Sequence, residues 1–146
     1  MSSLKAIISG FNLTSQLVSK FKDTTKLIQL NDFLYMIPLT NEAYDFINVD
    51  DEDEPVFIIK GSKWLTVKMF GVMMRFSALD KIAYIEIEDF DDTSSSQSAV
   101  VWENHKSIFE IYNQCGSINS ALQILGVKKQ NENDEFNTIG LGKYVG

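Results

Sequence analysis

Residue types that bind metals or form disulfides are almost missing from this sequence. It has one cysteine, Cys115, and one histidine, His105. A disulfide within the chain needs two cysteines, and a structural zinc site draws mainly on Cys and His side chains. An internal disulfide is therefore excluded, a zinc site nearly so, and we expect neither a metal ion nor another cofactor.

Long apolar runs are also missing. No window reaches the roughly eighteen apolar residues of a membrane span, and the first eleven residues lack the apolar run of a signal peptide. With 146 residues, of which 45% are hydrophobic and 23% charged, the composition is typical of one soluble globular domain. We expect a cytoplasmic protein that does not bind membranes.

Positive charge is scarce in the middle of the chain. Residues 42–92 contain thirteen acids and five bases, a balance of −8, whereas the whole chain has a net charge of −7. A concentrated negative field repels phosphate backbones and attracts basic partners. Binding to nucleic acid is therefore disfavoured, although a small group of lysines lies near the N-terminus, at residues 5, 20, 22 and 26.

One stretch of this acidic region, Lys81–Asp92, alternates as a β-strand does. Side chains on a strand point alternately to opposite faces, so Ala83, Ile85 and Ile87 share one face. The other face would carry carboxylates and aromatic rings, from Tyr84, Glu86, Glu88, Phe90 and Asp92. Such a face is either the solvated side of a sheet or a surface for a cationic partner. The polar residues 93–98 then predict a loop, and residues 99–102 an antiparallel partner strand.

The remaining elements indicate an α+β fold. Helices are predicted over residues 4–22 with a division at Gly10, 41 to 46 or 47 with Thr40 as the cap, about 105–113, and 118–125 with Ser117 as the cap. Strands are predicted over residues 26–30, 32–39 and 56–59. Residues from about 130 to 146 read as a tail docked on the domain. We therefore expect a single α+β domain, 1–146, with a mainly antiparallel sheet packed with helices.

Residues 64–76 fit two patterns. The apolar positions 64, 65, 69, 70, 73 and 76 match the stripe of a buried helix, whereas Leu65, Val67 and Met69 match a strand broken at Gly71. We favour the helix because β-branched residues are few.

The sequence favours none of three possible kinds of site: a nucleophilic pair, a pair of glycosidase acids and a calcium loop. His105 and Cys115 would lie about 15 Å apart along a helix, too far for a nucleophilic pair. Glu86 and Glu88 have the spacing of paired glycosidase acids on one strand face, but no cleft accompanies them. The stretch from Asp89 begins like a calcium loop, yet Ser94 and Val100 occupy the positions where that loop needs glycine and glutamate. We therefore expect no catalytic residues.

Two stretches carry a resemblance to a known group. The segments Phe33–Thr40 and Asp134–Gly142 are similar to segments of immunity proteins from bacterial contact-dependent growth inhibition and related polymorphic toxin systems. The resemblance implies a protein that binds and blocks a toxin domain, often a nuclease with a basic substrate cleft. It assigns no role to individual residues.

The resulting hypothesis is a bacterial toxin inhibitor whose binding surface combines acids and aromatics. Its proposed partner-binding residues are Tyr84, Glu86, Glu88, Phe90, Asp91, Asp92, Asp50, Asp51, Glu52, Asp53 and Glu54. Carboxylates placed where phosphates would bind, with aromatic anchors beside them, suit a nuclease inhibitor. The alternative is a non-enzymatic scaffold or interaction module that self-associates through an exposed strand.

Overall fold

A six-stranded antiparallel sheet forms the centre of the protein. The computed structural model describes residues 3–49, 56–88 and 95–146. The strands, in chain order, are β1 (Ser3–Ser9), β2 (Ile28–Gln29), β3 (Tyr35–Pro38), β4 (Ile82–Glu88), β5 (Ser96–Glu103) and β6 (Lys106–Ile111). Their order in the sheet is β2-β3-β1-β4-β5-β6, and every neighbouring pair is antiparallel. The α+β fold with an antiparallel sheet is confirmed.

Helices cover both faces of the sheet. The helices are α1 (Phe11–Val18), α2 (Asn41–Asn48), α3 (Val67–Phe76), α4 (Ser117–Ile124) and α5 (Glu135–Thr138). Residues of α1, α2 and α3 pack with Tyr84 on one face, which we call the Tyr84 face. Residues of α4 and α5 pack with Ile85 on the opposite face. Strand β4 lies between β1 and β5, and its side chains are buried on both faces because helices pack on each of them.

The prediction that one face of β4 is exposed is wrong for its central residues. Tyr84 is 0% exposed and Glu86 is 3% exposed. The alternation of side chains along β4 is as predicted, but helices and the chain around Trp64 cover the side that carries Tyr84 and Glu86. The pattern within one strand cannot indicate what covers it, because the covering elements come from distant parts of the sequence.

The N-terminal prediction also needs correction. Residues 3–9 form strand β1, whereas the second part of the stretch is helical: α1, with Gly10 as its N-cap, continues into a 3-10 turn at Ser19–Phe21. The run Leu4–Ile8 has apolar side chains on both faces of the sheet, because β1 lies inside the sheet between β3 and β4 and helices pack on both faces. Central strands of this kind lose the polar alternation that identifies exposed strands, so their apolar residues can match helical spacing by chance.

Residues 105–113, predicted as a helix, contain strand β6 instead. Asn104 and His105 have positive φ angles of 52° and 68°, and they form the two-residue turn between β5 and β6. Two left-handed residues in succession match the twist of a hairpin. The N-cap of α4 is Gly116, and Ser117, predicted as the cap, is the first helical residue.

Several other predictions are confirmed. Helix α2 begins after Thr40, whose side chain accepts a hydrogen bond from the Ala43 backbone N–H. The helical alternative for residues 64–76 is correct, with Thr66 as the cap of α3. Strands β4 and β5 form the predicted antiparallel pair. The strand predicted at 56–59 is reduced to a single bridge between Ile58 and Thr66.

The C-terminal segment packs against the side of the sheet opposite the Tyr84 face. It contains α5 and a 3-10 turn at Leu141–Tyr144, and Phe136, Ile139 and Leu141 are buried there. Within the described ranges, no helix combines the length and apolar character needed to cross a membrane.

Candidate functional site

The structure separates the residues predicted to bind a partner into two groups. Eight of them lie outside the described residues: Asp50, Asp51, Glu52, Asp53, Glu54, Phe90, Asp91 and Asp92. The other three, Tyr84, Glu86 and Glu88, are on β4. Tyr84 and Glu86 are buried, so in this structure they are not available for surface contacts, whereas the Glu88 side chain retains 19% exposure.

Glu86 is a buried carboxylate with three hydrogen-bond donors. Its Oε2 accepts from the backbone N–H of Lys63 at 2.6 Å. Its Oε1 accepts from the backbone N–H of Trp64 at 3.1 Å and from the Tyr84 hydroxyl at 2.7 Å. A buried carboxylate is tolerated only when its oxygens are satisfied in this way. Glu86 therefore attaches the chain around residue 64 to the centre of the sheet.

A second layer of contacts holds Trp64 from the other side. The Tyr44 hydroxyl, on α2, donates to the Trp64 carbonyl at 2.5 Å. Lys5, directly opposite Glu86 in the β1–β4 register, places its Nζ 5.1 Å from the Trp64 ring centre and 5.2 Å from that of Tyr44. Burial lowers the pKa of Lys5, while the charges of Asp45 and Glu86 act against that shift.

Three tyrosines around Glu86 are held in their neutral form. Burial, followed by the negative charge of Glu86 and the hydrogen bond to it, raises the pKa of Tyr84 well above the ordinary value. Burial also raises the pKa of Tyr44 and of Tyr112, and Tyr112 donates a hydrogen bond to Glu110 at 2.8 Å. Each hydroxyl is thereby kept as a hydrogen-bond donor, which a tyrosinate cannot be.

The chain from Val56 to Thr66, which we call the 56–66 loop, is fixed at several points. Its two ends approach each other through the hydrogen bonds Ile59 N–H to Leu65 C=O, at 2.8 Å, and Val67 N–H to Phe57 C=O, at 2.9 Å. Lys63 in this loop forms an ion pair with Glu88 at 3.5 Å. The loop thus contacts the last residue of strand β4. The acids Asp89, Asp91 and Asp92 follow that residue in the sequence.

Exposed apolar side chains are concentrated beside this loop. We define the apolar patch as the following residues, with their exposed fractions: Val49 57%, Val56 50%, Phe57 63%, Ile58 48% and Val67 54%. In the sequence, the first two enclose the acidic run of residues 50–54. Sequence reasoning missed this patch, although the apolar residues next to the acidic run were a signal that could have found it.

The candidates for catalysis and metal binding are not brought together. His105 and Cys115 lie beyond opposite ends of strand β6. Both carboxylate oxygens of Glu86 accept hydrogen bonds, from three donors in all, and Glu86 lines none of three pockets of about 260 to 410 Å³ that described residues form. In residues 3–49, 56–88 and 95–146, no group of three or more His, Cys, Asp or Glu side chains has the arrangement of a metal site.

Comparison of the chain with known proteins finds no matching family model, no matching curated protein and no matching solved structure.

Proposed function

We propose that this protein is an immunity protein that binds and blocks a bacterial toxin domain, a nuclease with a basic cleft. The observation that supports this proposal is an anchored loop that follows, in the sequence, the five acidic residues 50–54. The 56–66 loop follows the acids 50–54 in the chain, and its Lys63 contacts Glu88, which directly precedes Asp89. In the sequence, the acids 50–54 thus precede the loop, and the acids Asp89, Asp91 and Asp92 follow the end of the strand that Lys63 contacts.

This arrangement suits inhibition of a protein that binds phosphates. A nuclease cleft carries positive charge for its substrate, and carboxylates on an inhibitor can occupy that charge while increasing the association rate. A binding loop loses less conformational entropy on association when it is already fixed in the free protein. Glu86 would supply this rigidity from inside the domain without contacting the toxin. Inhibitor and toxin would meet in the cytoplasm.

Charge neutralisation tests the proposal. The first variant combines Asp51→Asn, Asp53→Asn and Asp91→Asn, and the probe is the C-terminal domain of the protein that the preceding reading frame encodes, assayed for nuclease activity. Each neutralised charge should cost on the order of 0.5 kcal/mol of binding free energy, so the triple variant should bind about tenfold more weakly than the wild type. Inhibition of the nuclease should decline in parallel, and the affinity should become less sensitive to salt.

A matched control removes the same charge elsewhere. Asp23, Asp32 and Glu132 are exposed and lie outside the acidic region. Their neutralisation to Asn, Asn and Gln should change affinity much less than the first variant does. Equal losses in the two variants, or an unchanged affinity in the first, would contradict the proposal.

A self-associating scaffold module is the second candidate function, and β6 is the strand edge that it would use. Ile108 on this strand is 41% exposed. The β5–β6 register, however, shifts from Val101↔Phe109 to Trp102↔Ser107, which leaves Ile108 without a partner. Irregularities of this kind discourage edge-to-edge pairing, and the opposite edge, β2, has two residues. Light scattering that shows a stable oligomer would favour this candidate.

A further inference from the structure

We infer that the apolar patch is the central contact surface for a basic protein partner, which would bring to it apolar side chains flanked by lysine or arginine. This inference rests on the proposed function and specifies the contact. Its basis is twofold. Hydrogen bonds join the segments that carry the patch and hold them in place, and in the sequence Val49 and Val56 of the patch flank the acidic residues 50–54.

The segments that carry the patch are joined to one another by hydrogen bonds to their backbone. Phe57 accepts the backbone hydrogen bond of Val67, and Val56 and Ile58 are its neighbours in the chain. The carbonyl of Val49 accepts a hydrogen bond from the ammonium group of Lys68, the residue after Val67. Exposed apolar residues that are scattered singly need no explanation, but a group of this kind indicates an interaction surface.

Buried polar contacts hold the patch in place. The Thr66 hydroxyl donates to Asn48 Oδ1 at 2.5 Å and accepts from the Met69 backbone N–H at 3.1 Å. Asn48 in turn donates to the Tyr44 carbonyl at 2.8 Å. These bonds connect the end of α2, next to Val49, with the start of α3, at Val67. The surface is therefore organised before a partner binds, which favours affinity.

Charge determines the kind of partner. Five carboxylates stand in the sequence between Val49 and Val56. A second copy of this chain is disfavoured, because a symmetric contact through the patch would bring two such acidic runs together. An anionic membrane surface would be repelled for the same reason. A basic protein is attracted by the acids and buries the apolar side chains, with Phe57 as the anchor.

A pair of phenylalanine variants tests this inference. Phe57→Ala removes the one aromatic ring of the patch. Phe33→Ala is the control, because it removes a ring that is 49% exposed in the connection between β2 and β3, outside the patch. The probe is a short synthetic peptide that combines leucine and lysine. Two further peptides serve as comparisons: in one glutamate replaces lysine, and in the other serine replaces leucine.

We expect the leucine–lysine peptide to bind more tightly than either comparison peptide. Phe57→Ala should weaken its binding about tenfold, and Phe33→Ala should leave it within about twofold. Backbone resonances of Val49, Ile58 and Val67 should shift on titration. Val67→Ser is a second variant that should weaken binding, and thermal unfolding would confirm that each variant is folded. No binding to the wild type, or equal binding by Phe57→Ala, would overturn the inference.

The toxin domain separates this inference from the proposed function. If the triple Asp→Asn variant loses toxin inhibition while Phe57→Ala retains it, the proposed function is supported. The same result would overturn the inference that the patch is the central contact. Peptide binding that depends on Phe57, in a protein that does not inhibit the toxin, would overturn the function and support the surface.

Discussion

Glu86 on strand β4 accepts a hydrogen bond from the backbone N–H of Trp64 at 3.1 Å, which joins the centre of the sheet to the 56–66 loop. The two residues are 22 positions apart in the chain, and the acceptor side of the bond is shielded from solvent because Glu86 is 3% exposed. Glu86, which the sequence pattern assigned to a partner-binding surface, is thus a buried residue that holds the 56–66 loop in place.

Glu86→Gln should destabilise the protein by about 1–3 kcal/mol. The amide retains one acceptor oxygen and replaces the other with a donor, so the N–H of either Lys63 or Trp64 loses its partner. Urea unfolding would measure the loss in free energy of unfolding. Amide hydrogen exchange at Lys63 and Trp64 should also become faster.

Glu88→Gln is the matched control on the same strand. It breaks the ion pair with Lys63, whose side chain is 55% exposed, so its cost should stay below about 1 kcal/mol. If Glu86→Gln were no more destabilising than Glu88→Gln, and exchange at Trp64 were unchanged, Glu86 would not be the anchor of the loop.

Stability should decline above pH 10 through three tyrosines, of which one is buried and two are partly buried. Tyr44, Tyr84 and Tyr112 have native pKa values raised above the ordinary value of 10.0, so the native state holds these protons more tightly than the unfolded state. Their contribution is complete below that pH and is lost as pH rises through the native pKa values. The lowered pKa of Lys5 makes the free energy of unfolding rise with pH in this range, but one lysine opposes three tyrosines.

Tyrosinate absorbance measured against pH checks this expectation. Of the five tyrosines, these three should ionise later in the native protein than in the protein unfolded by urea. Tyr84→Phe should remove one of the late ionisations. Native and unfolded titration curves that coincide would contradict the prediction.

Gly61→Ala should destabilise the protein more than Gly116→Ala. Both glycines have positive φ angles, 95° and 87°, so both substitutions introduce backbone strain of about 1 kcal/mol. A Cβ at position 61 would also lie 2.9 Å from the Tyr112 Cβ, whereas position 116 has open space. Relief of that overlap should add about 1–3 kcal/mol. Equal midpoints in thermal unfolding would show that the loop does not pack closely on Tyr112.

Local signals in the sequence predicted part of this architecture. Thr40 was identified as a cap because a threonine oxygen can satisfy a free N–H at the start of a helix, an interaction that spans three residues. The β4–β5 hairpin was identified because both strands and their connection are adjacent in the chain. The balance of −8 over residues 42–92 likewise needs no knowledge of the fold.

The tertiary structure decided the features that depend on distant residues. Leu4–Ile8 forms a strand because β3 and β4 pair with it on both sides, and Asn104 with His105 forms a turn because β6 pairs back on β5. Composition and order along the chain therefore determined the charge, the local caps and the fold class. Burial of Glu86 and exposure of Phe57 were decided by packing, because solvent access at any residue depends on what the remainder of the chain places against it.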